Sequence, residues 1–262
     1  MKTLVRTHAQ LSAAGRWDID FHLPATLIQA FDQSNVRRLD EVAHIVKENR
    51  DPGLTSDETF RYVDISSVDA KSGRVLNPQD VLGEDAPSRA RKVVQAFDLV
   101  ISTVRPTRGA IAVVPEDLHN EIASTGFAVV RANADVNPFY LHFALRMQST
   151  REQFRKWSTG SSYPAILESD VAKTLIPVPS PEFQDAFAIE LIQASRRRES
   201  AVRGADEAWE ADAEALVRRL FGKQADQLSA QNEEPTSPES VWSGVPTIAE
   251  IRRTLRALDA GE

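Results

Sequence analysis

Residues 98–114 have the sequence DLVISTVRPTRGAIAVV. Two runs rich in apolar and β-branched residues, 99–104 and 110–114, flank the five residues Arg-Pro-Thr-Arg-Gly at 105–109. A short connection that contains proline and glycine between two such runs is typical of a β-hairpin. The segment therefore predicts a hairpin with Arg105 and Arg108 at its tip.

Short segments on both sides of this hairpin predict an α/β (α+β) fold. Residues 139–147 are predicted to form a helix, and residues 60–65, 126–131 and 174–179 to form strands. Residues 36–47 are also predicted to be helical, because one face of that helix would carry Leu39, Val42, Ala43 and Val46. The strands are short and separated by turns, which favours a mixed or antiparallel sheet over a doubly wound parallel one.

Changes in composition divide the chain into four parts. Residues 1–181 are predicted to be one domain, and residues 182–223 one long helix, because that stretch is rich in Ala, Glu and Arg. Residues 224–246 have the composition of a flexible acidic linker. Residues 247–262 are predicted to be a short amphipathic helix, whose apolar side is formed by Ile248, Ile251, Leu255 and Leu258.

The composition excludes several classes of protein. The chain contains no cysteine, so it has no disulfide and no thiolate metal site, and its five histidines show no ligand spacing. No apolar run is long enough to span a membrane, and no secretory signal is evident at the N-terminus, so we expect a cytoplasmic protein. The net charge is −7, but residues 1–181 hold 21 basic against 22 acidic residues, which leaves room for a local basic face.

The sequence shows no catalytic centre. None of the eleven glycines forms a Gly-x-Gly pair, which excludes the dinucleotide fingerprint and the Walker phosphate loop. Asn137-Pro138-Phe139-Tyr140 is similar to the tetrapeptide with which amino-DNA methyltransferases hold a flipped base. We favour a helix start, with Pro138 in the first turn, and keep a methyltransferase fragment as an alternative. No catalytic or metal-binding residue is predicted.

Two stretches could contact nucleic acid. The first is basic and joins Arg89, Arg91 and Lys92 to the hairpin tip, whose residues are Arg105, Thr107 and Arg108. The second has hydroxyl groups around a glycine, which allow close approach to phosphate or bases: Thr159, Ser161, Ser162 and Tyr163. The alternatives are a solvated basic loop for the first and an ordinary turn for the second.

The long helix carries an apolar seam with spacings of three and four residues, which is close to a coiled-coil repeat. At about 1.5 Å per residue, a helix of this length is a rod of roughly 60 Å. We expect it to pair with another helix, although packing against residues 1–181 is an alternative. The predicted interface residues are Leu191, Val202, Ala205, Trp209, Ala213, Leu216 and Leu220.

Together these features resemble the specificity subunit of type I restriction-modification systems. The resemblance covers residues 15–222 and rests first on Asp98-Leu99-Val100-Ile101-Ser102, followed by Arg105, Pro106 and Gly109. Further matching segments are residues 62–65, 124–127, 139–141, 159–164 and 176–184. Two features depart from the family: Phe97 stands where glycine is usual, and the chain has one recognition domain and one long helix instead of two. The chain therefore resembles a half-subunit.

The resemblance implies a non-catalytic DNA reader for a DNA methylation and phage-defence complex. Residues 1–181 would be the target-recognition domain, and residues 182–223 would act as spacer, dimerisation helix and dock for a methyltransferase subunit. This chain would bind no cofactor: S-adenosylmethionine would belong to the methyltransferase, and ATP and Mg²⁺ to a restriction or translocase subunit if the complex restricts. The chain would form a homodimer or pair with another half-subunit. The alternative is a scaffold that keeps the recognition fold without binding DNA.

Overall fold

A computed structural model describes residues 4–221 and 248–260. These residues divide between two compact units, one made of Met1–Ala186 and Pro246–Glu262, and the other of Phe187–Val245. The predicted linker at 224–246 lies outside the described residues. The first unit contains all the strands and the short helices, and the second consists of most of the long helix.

The described elements alternate short helices and strands. The helices are α1 (His8–Ala14), α2 (Ile19–His22), α3 (Leu39–Val42), α4 (Pro138–Arg146), α5 (Gln148–Trp157), α6 (Glu168–Ala172), α7 (Pro181–Phe221) and α8 (Ile248–Ala260). The strands are β1 (Val36–Arg38), β2 (Ala43–Ile45), β3 (Thr59–Val63), β4 (Val68–Asp69), β5 (Arg74–Val75), β6 (Gln79–Leu82), β7 (Ala90–Val94), β8 (Leu99–Ser102), β9 (Ile111–Val113), β10 (Glu121–Ser124), β11 (Phe127–Ala132) and β12 (Leu175–Pro177).

Two four-stranded sheets form the centre of the first unit, with strand orders β6-β3-β10-β7 and β2-β11-β8-β9. All pairs in them are antiparallel except β3 with β10, which is parallel. The buried faces are rich in valine and alanine, and Phe127, Val129 and Leu118 lie in one apolar cluster. The expected mixed α/β fold with a long helix and a short last helix is confirmed.

The predicted hairpin is present. Strands β8 and β9 pair antiparallel, with Leu99 opposite Val113 and Ile101 opposite Ile111. On its other side β8 pairs with β11, so that all four β8 residues are buried. Because β8 is held on both edges, the tip that follows it starts from a fixed position.

The predicted helix over residues 36–47 is wrong. The chain instead forms β1, the single turn α3 and β2. Leu39, Ala43 and Val46 are buried as the pattern indicated, but strand partners take the backbone hydrogen bonds: β1 pairs with β12, and β2 pairs with β11. Apolar spacings of three and four residues fit a strand–turn–strand segment as well as a helix. The strands that pair with β1 and β2 are remote in sequence, so the local pattern could not indicate them.

Phe97 occupies the position at which the family that the sequence resembles usually has glycine. Its φ of 67° lies in the left-handed region, which favours glycine, although a side chain is attached here. That side chain is buried, and its ring lies 6.0 Å from the ring of Phe139, edge to face. Packing at the start of α4 therefore compensates the strained backbone of the turn.

The aspartate that follows is a buried structural group. Asp98 is only 1% exposed and accepts two hydrogen bonds from Arg131, at 2.7 and 2.9 Å. A third comes from the backbone N–H of Gln95 at 2.9 Å. Burial raises the pKa of Asp98, although Arg131 acts in the opposite direction. The pair joins β8 to β11 at the end of the hairpin opposite the tip.

The last helix belongs to the first unit. Ile251 of α8 is buried, as a residue on the apolar side of an amphipathic helix should be. Together with Ile248 and Arg252 it lines a cavity of about 70 Å³, whose other walls include Phe97, Asp98, Arg131, Val136 and Pro138. Helix α8 thus packs near the base of the hairpin.

Candidate nucleic-acid interface

The hairpin tip is a tight, well-defined turn. One turn of 3₁₀ helix at Pro106–Arg108 lies between two left-handed residues, Arg105 with φ 48° and Gly109 with φ 77°. Glycine adopts that conformation without strain, whereas arginine pays a cost on the order of 1–3 kcal/mol, which surrounding contacts must offset. The contacts that offset it come from a second loop.

Those contacts surround Arg105. Its backbone N–H donates to the carbonyl of Pro164 at 2.7 Å, and its guanidinium donates to the carbonyl of Ser162 at 3.0 Å. The guanidinium carbon also lies 4.2 Å from the centroid of the Tyr163 ring, in cation–π contact. Arg105 therefore fixes the position of the loop that carries the predicted hydroxyl groups.

This loop, residues 158–164, is closed at its base. Thr159 and Ala165 exchange two backbone hydrogen bonds of 2.9 and 2.8 Å, and Gly160 takes a φ of 95° just inside them. Ala165 also bridges to Val104, directly before the hairpin tip. The two stretches singled out from the sequence are thus adjacent, which no local sequence pattern could show.

The groups that face solvent form one surface, called here the tip surface. The ring of Tyr163 is 70% exposed. The other exposed members are Thr107, Arg108, Thr159, Ser161 and Ser162, and Arg105 is half-buried among them. Within residues 4–221 and 248–260 no carboxylate forms an ion pair with Arg105 or Arg108. The tip surface therefore combines hydroxyl groups, an aromatic ring and uncompensated positive charge.

Arg89 lies beside the base of the tip. Its carbonyl accepts from the N–H of Thr125, and the next residue, Gly126, accepts from the N–H and the hydroxyl of Thr103 at 2.9 Å each. Arg89 is exposed, as expected for a DNA contact. Arg91 is half-buried and lies 3.4 Å from Asp51, so its charge is partly compensated.

Lys92 is placed differently from the other basic residues. Its ammonium is part-buried and paired with Glu168, which also pairs with Lys47. Burial alone would raise the pKa of Glu168, but hydrogen bonds from the two lysines hold that pKa below its usual range. Because its ammonium already holds a carboxylate, we do not count Lys92 among the DNA contacts proposed below.

Two cations that the sequence analysis did not select lie on the neighbouring helix α5. Arg151 and Arg155 are four residues apart and so share a face of this helix, which packs against the 3₁₀ turn of the tip. The signal was available in the sequence, as two arginines at helical spacing directly before the hydroxyl loop. What the sequence could not supply was the contact between α5 and the tip.

The tetrapeptide at residues 137–140 is the start of a helix, as favoured above. Asn137 is fully buried, and its side-chain oxygen accepts from the N–H groups of Phe139 and Tyr140 at 2.9 and 3.4 Å. The hydroxyl of Tyr140 donates to the carbonyl of Pro177, and burial raises the pKa of Tyr140 to about 12. These side chains are used in packing and capping, so this geometry gives no support to a base-binding role.

Two kinds of feature are absent from the described residues. They contain no group of three or more His, Cys, Asp or Glu side chains placed to hold a metal ion. None of the helices within residues 4–221 and 248–260 is long and apolar enough to cross a bilayer.

The predicted seam on α7 is mostly open to solvent. Leu191 and Ala213 are half-buried, whereas the others are exposed: Val202 by 46%, Trp209 by 70%, Leu216 by 52%, Leu220 by 77%, and Ala205 as well. A row of exposed large apolar side chains at coiled-coil spacing is typical of an interaction surface.

Comparison with known proteins finds similar solved structures. The fold matches the crystal structure of the HsdS subunit from Thermoanaerobacter tengcongensis with a TM-score of 0.57 and 34% identity, over 78% of this chain and 52% of that one. A structure from a study of complex assembly and conformational transition in the type I system matches equally, with 35% identity, 78% and 51% coverage and a TM-score of 0.57. The resemblance to type I specificity subunits is confirmed.

This chain is also similar to a curated type I specificity subunit. The HindI specificity subunit of Haemophilus influenzae is 29% identical over 123 residues, which is 46% of this chain and 27% of that protein. No family model matches the chain. The chain spans about half the length of the matched type I structures.

Proposed function

We propose that this chain is a non-catalytic DNA-specificity subunit of a type I-like restriction-modification complex and that the tip surface contacts double-stranded DNA. The matches to type I specificity subunits support the class of protein. The composition of the tip surface supports the place of contact, since hydroxyl groups and arginines are the commonest partners of phosphates and base edges.

The observation that carries this assignment is the contact between Arg105 and the hydroxyl loop. It holds two loops from distant parts of the sequence in one rigid, exposed arrangement. Loops that are ordered before binding lose less conformational entropy when they bind, which favours a role in recognition. Arg105 holds this surface in position. Arg108, Thr107 and the loop hydroxyls remain available to contact the DNA.

Catalysis would belong to partner subunits. A methyltransferase subunit would bind S-adenosylmethionine, and a restriction or translocase subunit, if present, would use ATP and Mg²⁺. The exposed seam of α7 would be the site of assembly, with a second copy of this chain, another half-subunit or the methyltransferase. A homodimer would have twofold symmetry and so would read two inverted half-sites.

The test is binding of the full chain to duplex DNA, measured by fluorescence anisotropy over a range of salt concentrations. We expect the affinity to fall linearly with salt on a double-logarithmic plot, and Arg108→Ala to weaken it. Arg61→Ala is the matched control, because Arg61 is paired with Asp117 beyond the opposite end of β9. If the wild-type chain is folded and does not bind DNA even at low salt, the scaffold alternative is supported instead.

A further inference from the structure

Arg151 on helix α5 differs from the other arginines packed around the hairpin. Arg16 is paired with Asp18, and Arg146 donates to the carbonyls of Ala70, Lys71 and Ser72. Arg151 is half-buried, and within the described residues its guanidinium takes part in no hydrogen bond or ion pair; its Nε atom is enclosed without a partner. A part-buried charge without a partner is unfavourable unless a ligand of opposite charge completes it.

The position of this guanidinium is set by the hairpin tip. A Cβ atom added to Gly109 would lie 3.8 Å from Nε of Arg151 and 3.9 Å from its Cζ and Nη2. These are ordinary van der Waals distances, so Gly109, which also satisfies the left-handed backbone, places the hairpin tip directly beside the Arg151 guanidinium. The residue before it, Arg108, is exposed and has no carboxylate partner among the described residues.

The surroundings add positive charge and little negative charge. One turn further along α5, Arg155 reaches the carbonyl of Pro24 with a bond of 3.3 Å, and the ammonium of Lys156 lies 5.7 Å above the Phe21 ring. Of the acidic residues nearby, Glu152 accepts from the N–H of Leu27 and Asp18 is occupied by Arg16. Among the described residues, neither Arg108 nor Arg151 has a carboxylate in an ion pair with it.

We propose that Arg108 and Arg151 form a clamp for one phosphodiester group of the DNA backbone, beside Gly109 at the hairpin tip. Guanidinium groups suit this ligand because their planar N–H donors match two phosphate oxygens at once. The clamp would act independently of base sequence and fix the register in which the loop hydroxyls meet the bases. This inference rests on the proposed function, since it names the group of the duplex that the site takes.

The experiment compares Arg151→Ala, Arg151→Lys and Arg108→Ala with the Arg61→Ala control, in the full chain, on several duplexes of unrelated sequence. We expect about a 10-fold loss of affinity for Arg151→Ala on every duplex, since one charge-assisted contact is lost. The slope of log affinity against log salt should fall by about one. Arg151→Lys should keep the slope but recover only part of the affinity that Arg151→Ala loses, because an ammonium cannot donate two parallel hydrogen bonds to the phosphate.

The outcomes separate the clamp from the proposed function. If the wild type binds DNA and Arg108→Ala weakens that binding, but Arg151→Ala and Arg151→Lys bind with unchanged affinity and slope, the clamp is wrong and the DNA-binding function stands. If the wild type itself binds no DNA, the function fails with it. Unfolding temperatures equal to that of the wild type show that an effect is local, and should Arg151→Ala fail to fold, the other two variants decide the result.

Discussion

The guanidinium of Arg105 stacks on the ring of Tyr163 and donates to the carbonyl of the residue before it. Both arginines of the hairpin tip were expected to face DNA, but the structure gives them different surroundings. Arg105 is half-buried and joins the tip to the hydroxyl loop, whereas Arg108 is exposed. This difference leads to separate expectations for the two side chains.

Arg105→Ala should loosen the hydroxyl loop. The variant loses one cation–π contact and one hydrogen bond, each worth about 1 kcal/mol, and leaves residue 105 in the same strained backbone conformation. We expect faster hydrogen exchange in residues 158–165 together with weaker DNA binding. Tyr163→Phe is the control for hydrogen exchange alone, because it keeps the ring beneath Arg105 but removes one hydroxyl group of the tip surface. Normal loop protection in Arg105→Ala would show that the loop does not depend on this brace.

Charge reversal at Arg108 should act on DNA binding alone. Arg108→Glu removes an exposed cation and adds a repulsion, so we expect binding weaker by a few kcal/mol and a salt slope lower by about one. Its unfolding temperature should match that of the wild type. An unchanged affinity and slope would place the tip outside the interface.

The loop hydroxyls allow a further test of the tip surface. Thr159, Ser161 and Ser162 are exposed, so replacing them together by alanine should cost little stability. We expect reduced DNA binding with an unfolding temperature close to that of the wild type, measured by anisotropy and by calorimetry. A large drop in unfolding temperature would show that the hydroxyl groups are structural.

Local patterns predicted the hairpin and the long helices because each of these elements carries its own signal. Alternating β-branched runs around Arg-Pro-Thr-Arg-Gly specify strand, turn and strand, and a long stretch rich in Ala, Glu and Arg specifies a helix. The helix predicted for residues 36–47 was wrong because strand pairing with distant segments overrode a helical pattern. There the buried residues were identified correctly, and only the backbone conformation between them was wrong.

The candidate site was harder to predict because it is made from contacts between distant segments. Nothing local to Arg105 indicates that it meets Tyr163, and nothing local to Lys92 indicates that Glu168 lies beside it. The role of Gly109 next to Arg151 is likewise a property of packing between the hairpin and α5. Sequence patterns found most of the chemical groups, but only the fold shows which are still available for a ligand.

His142 predicts how stability depends on pH. Burial, together with the charge of Arg146, lowers the pKa of His142 to about 4, and its Nε2 donates to the carbonyl of Ile111 at 3.0 Å. In the unfolded chain the imidazole of His142 takes up a proton near pH 6.5, whereas in the folded chain the same imidazole stays neutral at that pH. The contribution of neutral His142 to the free energy of unfolding is therefore complete above pH 6.5. It is lost as the pH falls toward 4, by up to about 3 kcal/mol.

Urea unfolding between pH 4 and 7 tests this expectation. His142→Gln should flatten the curve, whereas the same change at the exposed His8 should leave it as in the wild type. Asp98 acts in the opposite direction, because burial raises its pKa, and both variants retain it. An equal slope in wild type and His142→Gln would show that His142 does not control acid stability.

Helix α8 should contribute to stability but not to recognition. Ile251 is 5% exposed at the base of the hairpin, whereas the tip surface lies at the other end. Deleting residues 224–262 should lower the unfolding temperature and leave specific DNA binding intact. Ile251→Ala should cost about 2–4 kcal/mol unless α8 detaches, and Arg253→Ala, at an exposed position of the same helix, is the control. Loss of specific binding in the deletion variant would assign the tail a part in recognition.

Assembly is the last property that the structure makes testable. Most seam residues between Val202 and Leu220 of α7 are exposed, over about five turns, and burying their side chains against a second helix would be favourable by about 25 cal/mol for each Å² removed from water. We expect the isolated chain to sediment as a dimer at micromolar concentration and to prefer a target with inverted halves. Ala213→Glu places a charge in the seam and should give monomers, whereas Ala211→Glu makes the same change on the opposite face and should leave the dimer intact. A wild-type chain that stays monomeric, free and on DNA, would exclude the homodimer and leave a methyltransferase or a different half-subunit as the partner of this seam.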